Sequence, residues 1–194
     1  MIESAQDLKY YIQQDRIRNR VPINPSFVYR LKNFLVPNLI VKYLFLLRKA
    51  EYYLNCHKHS IIGLAYKYRF HKLGLKLGFS LPLNSFGPGL SLPHTGTIVV
   101  NGNATIGANC RLHVCVNIGA SAGEKEAPKI GNNVYIGPGA IIFGNITIAD
   151  NVTIGANATV NKSCNQEKVV LAGSPASIVK ENYPNWIEFN KVNK

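Results

Sequence analysis

The sequence predicts a mainly β fold, a parallel β-helix of hexapeptide repeats preceded by an α-helical N-terminal region. The first observation behind this reading is a period of six. Val100, Ile106, Leu112, Ile118, Glu124, Ile130, Ile136, Ile142, Ile148, Ile154 and Val160 follow one another at that spacing without a gap, and all but Glu124 are aliphatic. The second is what surrounds them: glycine comes next at 107, 119, 131, 137 and 155, and asparagine recurs at 103, 109, 133, 145, 151 and 157. Six is the period of neither a helix nor an ordinary amphipathic strand, whereas short strands meeting at corners produce it. The third is a change of texture near residue 75, before which apolar residues recur at helical spacing instead.

In chain order, the spacing predicts a polar helix over 4–19. A second helix is expected from Asn24-Pro25, with Asn as cap and Pro in the first turn, to Val36. Leu39, Tyr43, Leu46, Leu47 and Ala50 predict a third ending near Asn55, and a fourth covers Ser60 to Lys72. These form an α-helical region over 1–75. Proline and glycine punctuate 79–99, as an irregular first coil requires. The β-helix domain then spans 76–176, where one aliphatic residue per hexapeptide points inward. Asn or Gly takes the left-handed backbone at the corners. Three hexapeptides close a coil of eighteen residues, stacking such residues about 4.8 Å apart. Repeat proteins need capped ends, so the helices are expected to cap one end and a tail over 177–194 the other.

Composition narrows the partners. The chain has 194 residues, 46% of them hydrophobic, and a net charge of +12, of which residues 1–80 carry +10. No nucleic-acid motif accompanies this charge, which is spread along amphipathic helices, so no nucleic-acid partner is expected; peripheral association with an anionic membrane is left open. The longest apolar run, near 43–47, is too short to span a bilayer. Cys56, Cys110, Cys115 and Cys164 lack metal-site spacing, and His57, His59 and His71 sit among lysines and arginines, so no metal is expected. With a polar N-terminus, these features predict a cytoplasmic protein.

Chemistry points to His94 and His113, one coil plus one residue apart. An imidazole is suited to take a proton from a hydroxyl near pH 7. The run GPGLSLPHTGTIVV, the later VNIG, the IGPGAIIFGNITI repeat and the closing AGSPASIV resemble the serine acetyltransferase group of hexapeptide-repeat acyltransferases over about residues 60–180. The resemblance implies a left-handed parallel β-helix, acetyl-CoA as co-substrate, and a homotrimer or dimer of trimers with sites between subunits. It makes His94 the catalytic base; His113, one coil on, is the second candidate from its position alone. The resemblance places Gly119 and Ala120 near the thioester, Pro138 and Ala156 along the pantetheine arm, and Gly173 and Pro175 near the adenine end. Lys162, Lys168 or Lys180 would then meet phosphates. Residues 120, 138 and 156, eighteen apart, are expected to stack as one track.

The departures from the family's pattern concern the acceptor. The family's aspartate partner of the histidine falls on Phe79, its aspartate before the histidine on Pro93, and its Arg-His pair on Glu126-Ala127. An amino-acid pocket so altered loses discrimination, so the sequence reading favours a small-molecule sugar hydroxyl, as of a surface-polysaccharide precursor. L-serine, acetylated for cysteine synthesis, is the alternative. A zinc hydratase, which needs a third histidine, and a non-catalytic trimeric module are the weaker readings. Asn117, Glu124 and Glu126 are the expected acceptor-binding residues. Glu124, breaking the aliphatic rhythm, marks a loop leaving the shaft, and Glu124 or Glu126 of a neighbouring subunit is a candidate carboxylate to support His94.

Overall fold

The computed structural model describes residues 1–192, so residues 193 and 194 of the expected tail lie outside the described residues. Four helices open the chain, each with a side-chain N-cap. Helix α1 (Ala5–Arg18) starts at Ser4, whose Oγ accepts from the Asp7 N–H at 3.0 Å. Helix α2 (Phe27–Leu35) starts at Ser26, not at the expected Asn24: the Ser26 hydroxyl accepts from the Tyr29 N–H, leaving Pro25 ahead of the cap. Helix α3 (Leu39–Cys56) is capped by Asn38 and α4 (Ile61–Leu77) by Ser60. Helix α4 runs past the expected Lys72 because Leu77, like Phe70, is buried, and it stops at Gly78 with φ 79°.

The rest winds into a left-handed β-helix of triangular section. The first face stacks β1 (Phe79–Ser80), β2 (Ile98–Val100), β5 (Val116–Gly119), β8 (Ile141–Phe143) and β11 (Thr159–Val160). The second stacks β3 (Thr105–Ile106), β6 (Lys129–Ile130) and β9 (Thr147–Ile148). The third stacks β4 (Arg111–Leu112), β7 (Tyr135–Ile136), β10 (Thr153–Ile154), β12 (Val170–Gly173) and β13 (Ala176–Lys180). Every pairing is parallel except that of β13 on β12. The aliphatic frame forms the buried columns, such as Leu112–Ile136–Ile154–Leu171, and these join the α3 and α4 side chains in one core.

At two of the three corners the turn repeats a left-handed residue on successive coils. Asn109, Asn133 and Asn151 turn from the second face to the third at φ 59°, 57° and 62°. Their side-chain amides form a ladder, Asn109 to Asn133 at 3.2 Å and Asn133 to Asn151 at 3.0 Å. Cys115, Gly139 and Asn157 turn from the third face to the first at φ 61°, 72° and 56°. Asn103 and Asn145 have no positive φ; at the third corner, between β8 and β9, Gly144 takes it instead at φ 93°.

One coil is longer than its neighbours. Val99 pairs with Asn117, eighteen residues on, but Asn117 pairs with Ile141, twenty-four on. The surplus is one hexapeptide's length, and it leaves the shaft between β5 and β6 with Glu124 exposed. Because the excursion is six residues long, the sequence rhythm crosses it in phase. The expected 120–138–156 track is therefore wrong: by the same register Ala120 stacks on Gly144, and Pro138 stacks on Ala156.

The tail also differs from a simple cap. Strand β13 closes the third face, and the chain then runs back along the asparagine corner. The Tyr183 N–H donates to the Lys168 carbonyl, Asn185 Nδ2 to Asn151 Oδ1 and Trp186 Nε1 to the Asn109 carbonyl. Helix α5 (Trp186–Val192) ends the described chain.

Candidate active site

The corner between the third and first faces collects the chemistry. His94 lies between Ser91, bridged to Arg111 on the third face, and Ile98 on the first. His113 follows β4 one coil on, and the two imidazole centroids are 6.0 Å apart. His113 also packs on the Tyr135 ring at 5.0 Å and takes the Arg111 Nε–H on its Nε2 at 3.3 Å. Burial first, then the Arg111 charge, then His94, pushes the His113 imidazole down to about 4. It is therefore neutral at pH 7. His94 is exposed, and its ring has no hydrogen-bond partner among the described residues.

Above the histidines this corner continues as a column. Gly137 pairs alongside Gly155, and Gly155 donates its N–H to the Leu171 carbonyl, which stacks Pro138, Ala156 and Gly173 on successive coils. At about 4.8 Å per coil the column, extended down to Val114 above the His113 turn, is about 14 Å long. Pro175 follows Gly173, and Ser174 Oγ bonds Thr159 Oγ1 at 2.9 Å. Small residues along the column leave an open, narrow track, which suits an extended thioester substrate entering toward His94. Lys162 and Lys168 are exposed, and Lys180 Nζ sits 4.9 Å from the Tyr183 ring centroid.

The remaining expected residues lie elsewhere. Gly119, Ala120, Glu124 and Glu126 occupy the corner between the first and second faces, and Asn117 is exposed on the first face between the two corners. Within one protomer, the width of a face separates the two carboxylates from His94. None of them contributes to the field at His113. Among the described residues, no group of three or more His, Cys, Asp or Glu could hold a metal ion, and no helix is long and apolar enough to cross a membrane.

The helical region adds a wall that local sequence patterns do not reveal. A cavity of about 260 Å³ opens beside His94, lined among others by Arg18, Arg20, Arg111, Asn38, Ser91 and Pro93. Arg18 Nε donates to Asn109 Oδ1 at 2.8 Å, and the Arg111 guanidinium carbon lies 5.3 Å from the Trp186 ring centroid. Burial works against the charge of both, holding each guanidinium below its ordinary value.

A buried ion network fixes this wall to the shaft. Arg48, 0% exposed, donates from Nε to Asp15 Oδ2 at 2.8 Å and from Nη1 to Glu51 Oε2 at 3.0 Å. It also donates to the Phe86 and Gly87 carbonyls at 3.0 and 2.7 Å, while Asp15 Oδ1 accepts the Gly89 and Leu90 N–H groups at 2.8 and 2.9 Å. Asn19, at the end of α1, donates to the Leu90 carbonyl and accepts the Leu92 N–H, two residues before His94.

Known proteins share this architecture. Residues 127–162 match the family described as Bacterial transferase hexapeptide (six repeats). Serine acetyltransferase 1, chloroplastic, of Arabidopsis thaliana is 40% identical over 106 residues, covering 52% of this chain and 33% of the relative. The serine acetyltransferase of Staphylococcus aureus (strain N315) is 38% identical over 103 residues, 52% of this chain and 48% of the relative. The soybean serine acetyltransferase complexed with serine superposes with a TM-score of 0.70 at 25% identity, over 90% of this chain and 70% of that one. The chain spans about half or less of the length of the curated relatives it matches. In repeat and in fold, the chain is similar to the serine acetyltransferases of the hexapeptide-repeat, left-handed β-helix group.

Proposed function

We propose that the protein is an acetyl-CoA-dependent O-acetyltransferase in which His94 is the general base. The observation that carries this reading is the single corner that holds both histidines and, above them, the Pro138–Ala156–Gly173 track. The acceptor hydroxyl gives its proton to the His94 imidazole as its oxygen attacks the thioester carbon. The C–S bond then breaks, and the proton passes to the departing thiolate. His113, neutral at pH 7, adds no positive charge beside His94. With Nε2 taking the Arg111 N–H, Nδ1 carries the ring proton and can donate a hydrogen bond to the acceptor oxygen and hold it in place. Catalysis takes place in the cytoplasm, where acetyl-CoA is available, in a homotrimer or a dimer of trimers.

L-serine is the acceptor that the relatives' names support. A sugar hydroxyl is the second reading, favoured by a specific set of side chains: Phe79 is 5% exposed in the core, Pro93 stands before His94, and Ala127 is 4% exposed at the foot of the loop. The helical region also suits an anionic bilayer. Phe27, Leu31, Phe34 and Leu35 of α2 share one face and are 50–82% exposed, and no Asp or Glu occurs between Arg16 and Ala50.

The deciding experiment is thiol release from acetyl-CoA with L-serine and with amino sugars in parallel. His94→Ala is expected to lower kcat by about 10²–10⁴-fold. Unchanged turnover would remove His94 as the base, and loss confined to His113→Ala would transfer the role.

A further inference from the structure

The cavity beside His94 carries more cationic charge than a site for a neutral acceptor needs. Arg18, Arg20 and Arg111 line it together, drawn from the end of α1, the turn after it and strand β4. Among the described residues, no Asp or Glu lines it. Arg18 and Arg111 have no carboxylate partner among the described residues. Both are oriented by neutral groups, Arg18 by the Asn109 side-chain oxygen and Arg111 by the His113 ring nitrogen and the Trp186 face. Each keeps further N–H donors beyond the bond its Nε makes.

Gathering like charges in a half-buried pocket is costly unless an anion completes it. Guanidinium groups present paired donors that match the oxygens of a carboxylate or a phosphate. Asn38 and Ser91 add neutral polar groups on the same wall.

From this geometry we infer that Arg18 and Arg111 form an oxyanion-binding subsite that holds an anionic group of the acceptor while His94 faces its hydroxyl. The inference rests on the acetyltransferase reading for the second half of that sentence only. The anion is either the carboxylate of an amino or sugar acid or the phosphate of a phosphorylated sugar. The arginine subsite also stands in for the Arg-His pair that the excursion lacks at Glu126-Ala127.

The test uses the full chain. Inorganic phosphate is titrated calorimetrically at low ionic strength into the wild type and into Arg18→Gln, Arg111→Gln and Arg111→Lys, each first checked by circular dichroism and light scattering. Each glutamine variant is expected to weaken phosphate binding by about ten- to a hundredfold, the loss of one charge-assisted pair. Arg111→Lys, which keeps the charge without the fork, should recover part of it. Coenzyme A affinity should not move in any of the three. Phosphate binding equal to wild type in both glutamine variants overturns the inference, as does loss of coenzyme A affinity in step with phosphate.

Thiol release then separates the sources of the anion: L-serine against ethanolamine reports a carboxylate, and glucosamine 6-phosphate against glucosamine a phosphate. The anionic member of one pair is expected to have a KM about ten- to a hundredfold lower, an advantage lost in Arg111→Gln. Equal use of both members of both pairs overturns the inference. Arginine-dependent phosphate binding without thiol release to any acceptor would keep the subsite and sink the acetyltransferase reading.

Discussion

Arg48 is the side chain whose replacement should do the most damage for the fewest atoms. It is wholly buried, and its guanidinium ties Asp15 on α1, Glu51 on α3 and the Phe86 and Gly87 carbonyls of the first coil into one unit. Arg48→Met would leave two carboxylates, 3% and 2% exposed, without their counter-charge. Breaking a buried pair from one side costs about 3–5 kcal/mol. The two orphaned carbonyls push toward the upper end of that range. With a urea m-value of about 2 kcal/mol/M, the unfolding midpoint should fall by about 1.5–2.5 M at matched protein concentration. Arg48→Lys keeps the charge but has three donors to divide among four acceptors, so an intermediate loss is expected. Asp15 also receives the Gly89 and Leu90 amides, so loosening the network should shift the end of α1 and weaken phosphate binding at Arg18. A midpoint shift below about 0.5 M for Arg48→Met would refute the view that this network holds the helices to the shaft.

The other predictions are more local. Gly107→Ala sets a methyl carbon 2.6 Å from the Gly131 backbone and should cost about 1–3 kcal/mol in chemical unfolding, whereas Gly102→Ala, with nothing within 4 Å, should be neutral. His113 should titrate near pH 4 by imidazole NMR; Arg111→Gln should raise that midpoint yet leave it below 6.5, because burial is the larger cause. The folded pKa is the depressed one, so stability due to a neutral His113 is full above pH 6.5 and declines as pH falls toward 4. His113→Gln should flatten that part of the stability profile. Flotation with phosphatidylserine vesicles should carry the wild type upward and lose Phe34→Asp, while neutral vesicles carry neither.

The shaft was legible because each of its rules is local. One aliphatic residue per hexapeptide, and asparagine where φ must be positive, can be read without knowing what lies opposite. Asn109, Asn133, Asn151 and Asn157 obey that rule, and Asn103 and Asn145 show its limit, since neither is left-handed and between β8 and β9 the positive φ falls on Gly144 instead. The excursion was visible only through Glu124. Its length of six hides it from any count of periodicity, and this is why a column of eighteens placed Ala120 with Pro138. The arginine wall was harder still. Arg18 reaches Asn109 and Asn19 reaches Leu90 and Leu92 across 71–91 residues of sequence, and such pairings leave no spacing to count. Arg111 alone carried a faint signal, a charged side chain inside the repeat two residues before His113.

The distribution of the site over the triangular section argues for assembly. His94, His113 and the small-residue track share one corner, with the arginine wall beside it along the third face, while Gly119, Ala120 and the exposed carboxylates Glu124 and Glu126 occupy the next. On the proposed acetyltransferase reading a single protomer would present two half-sites kept apart, because the β5 strand between them is fixed by neighbours on both sides. Head-to-tail contacts that join one corner of each copy to the other corner of the next would bring the halves together, and such contacts close as a ring. In that arrangement the excursion of one copy would face His94 of its neighbour, so a carboxylate missing at Phe79 would come from Glu124 or Glu126 across the interface. Mixing His94→Ala protomers with Glu124→Gln/Glu126→Gln protomers then becomes informative. If the sites are shared, mixed rings contain some interfaces with a wild-type histidine facing wild-type carboxylates and recover activity that neither parent has. If each protomer is self-sufficient, the mixture stays at the average of the two.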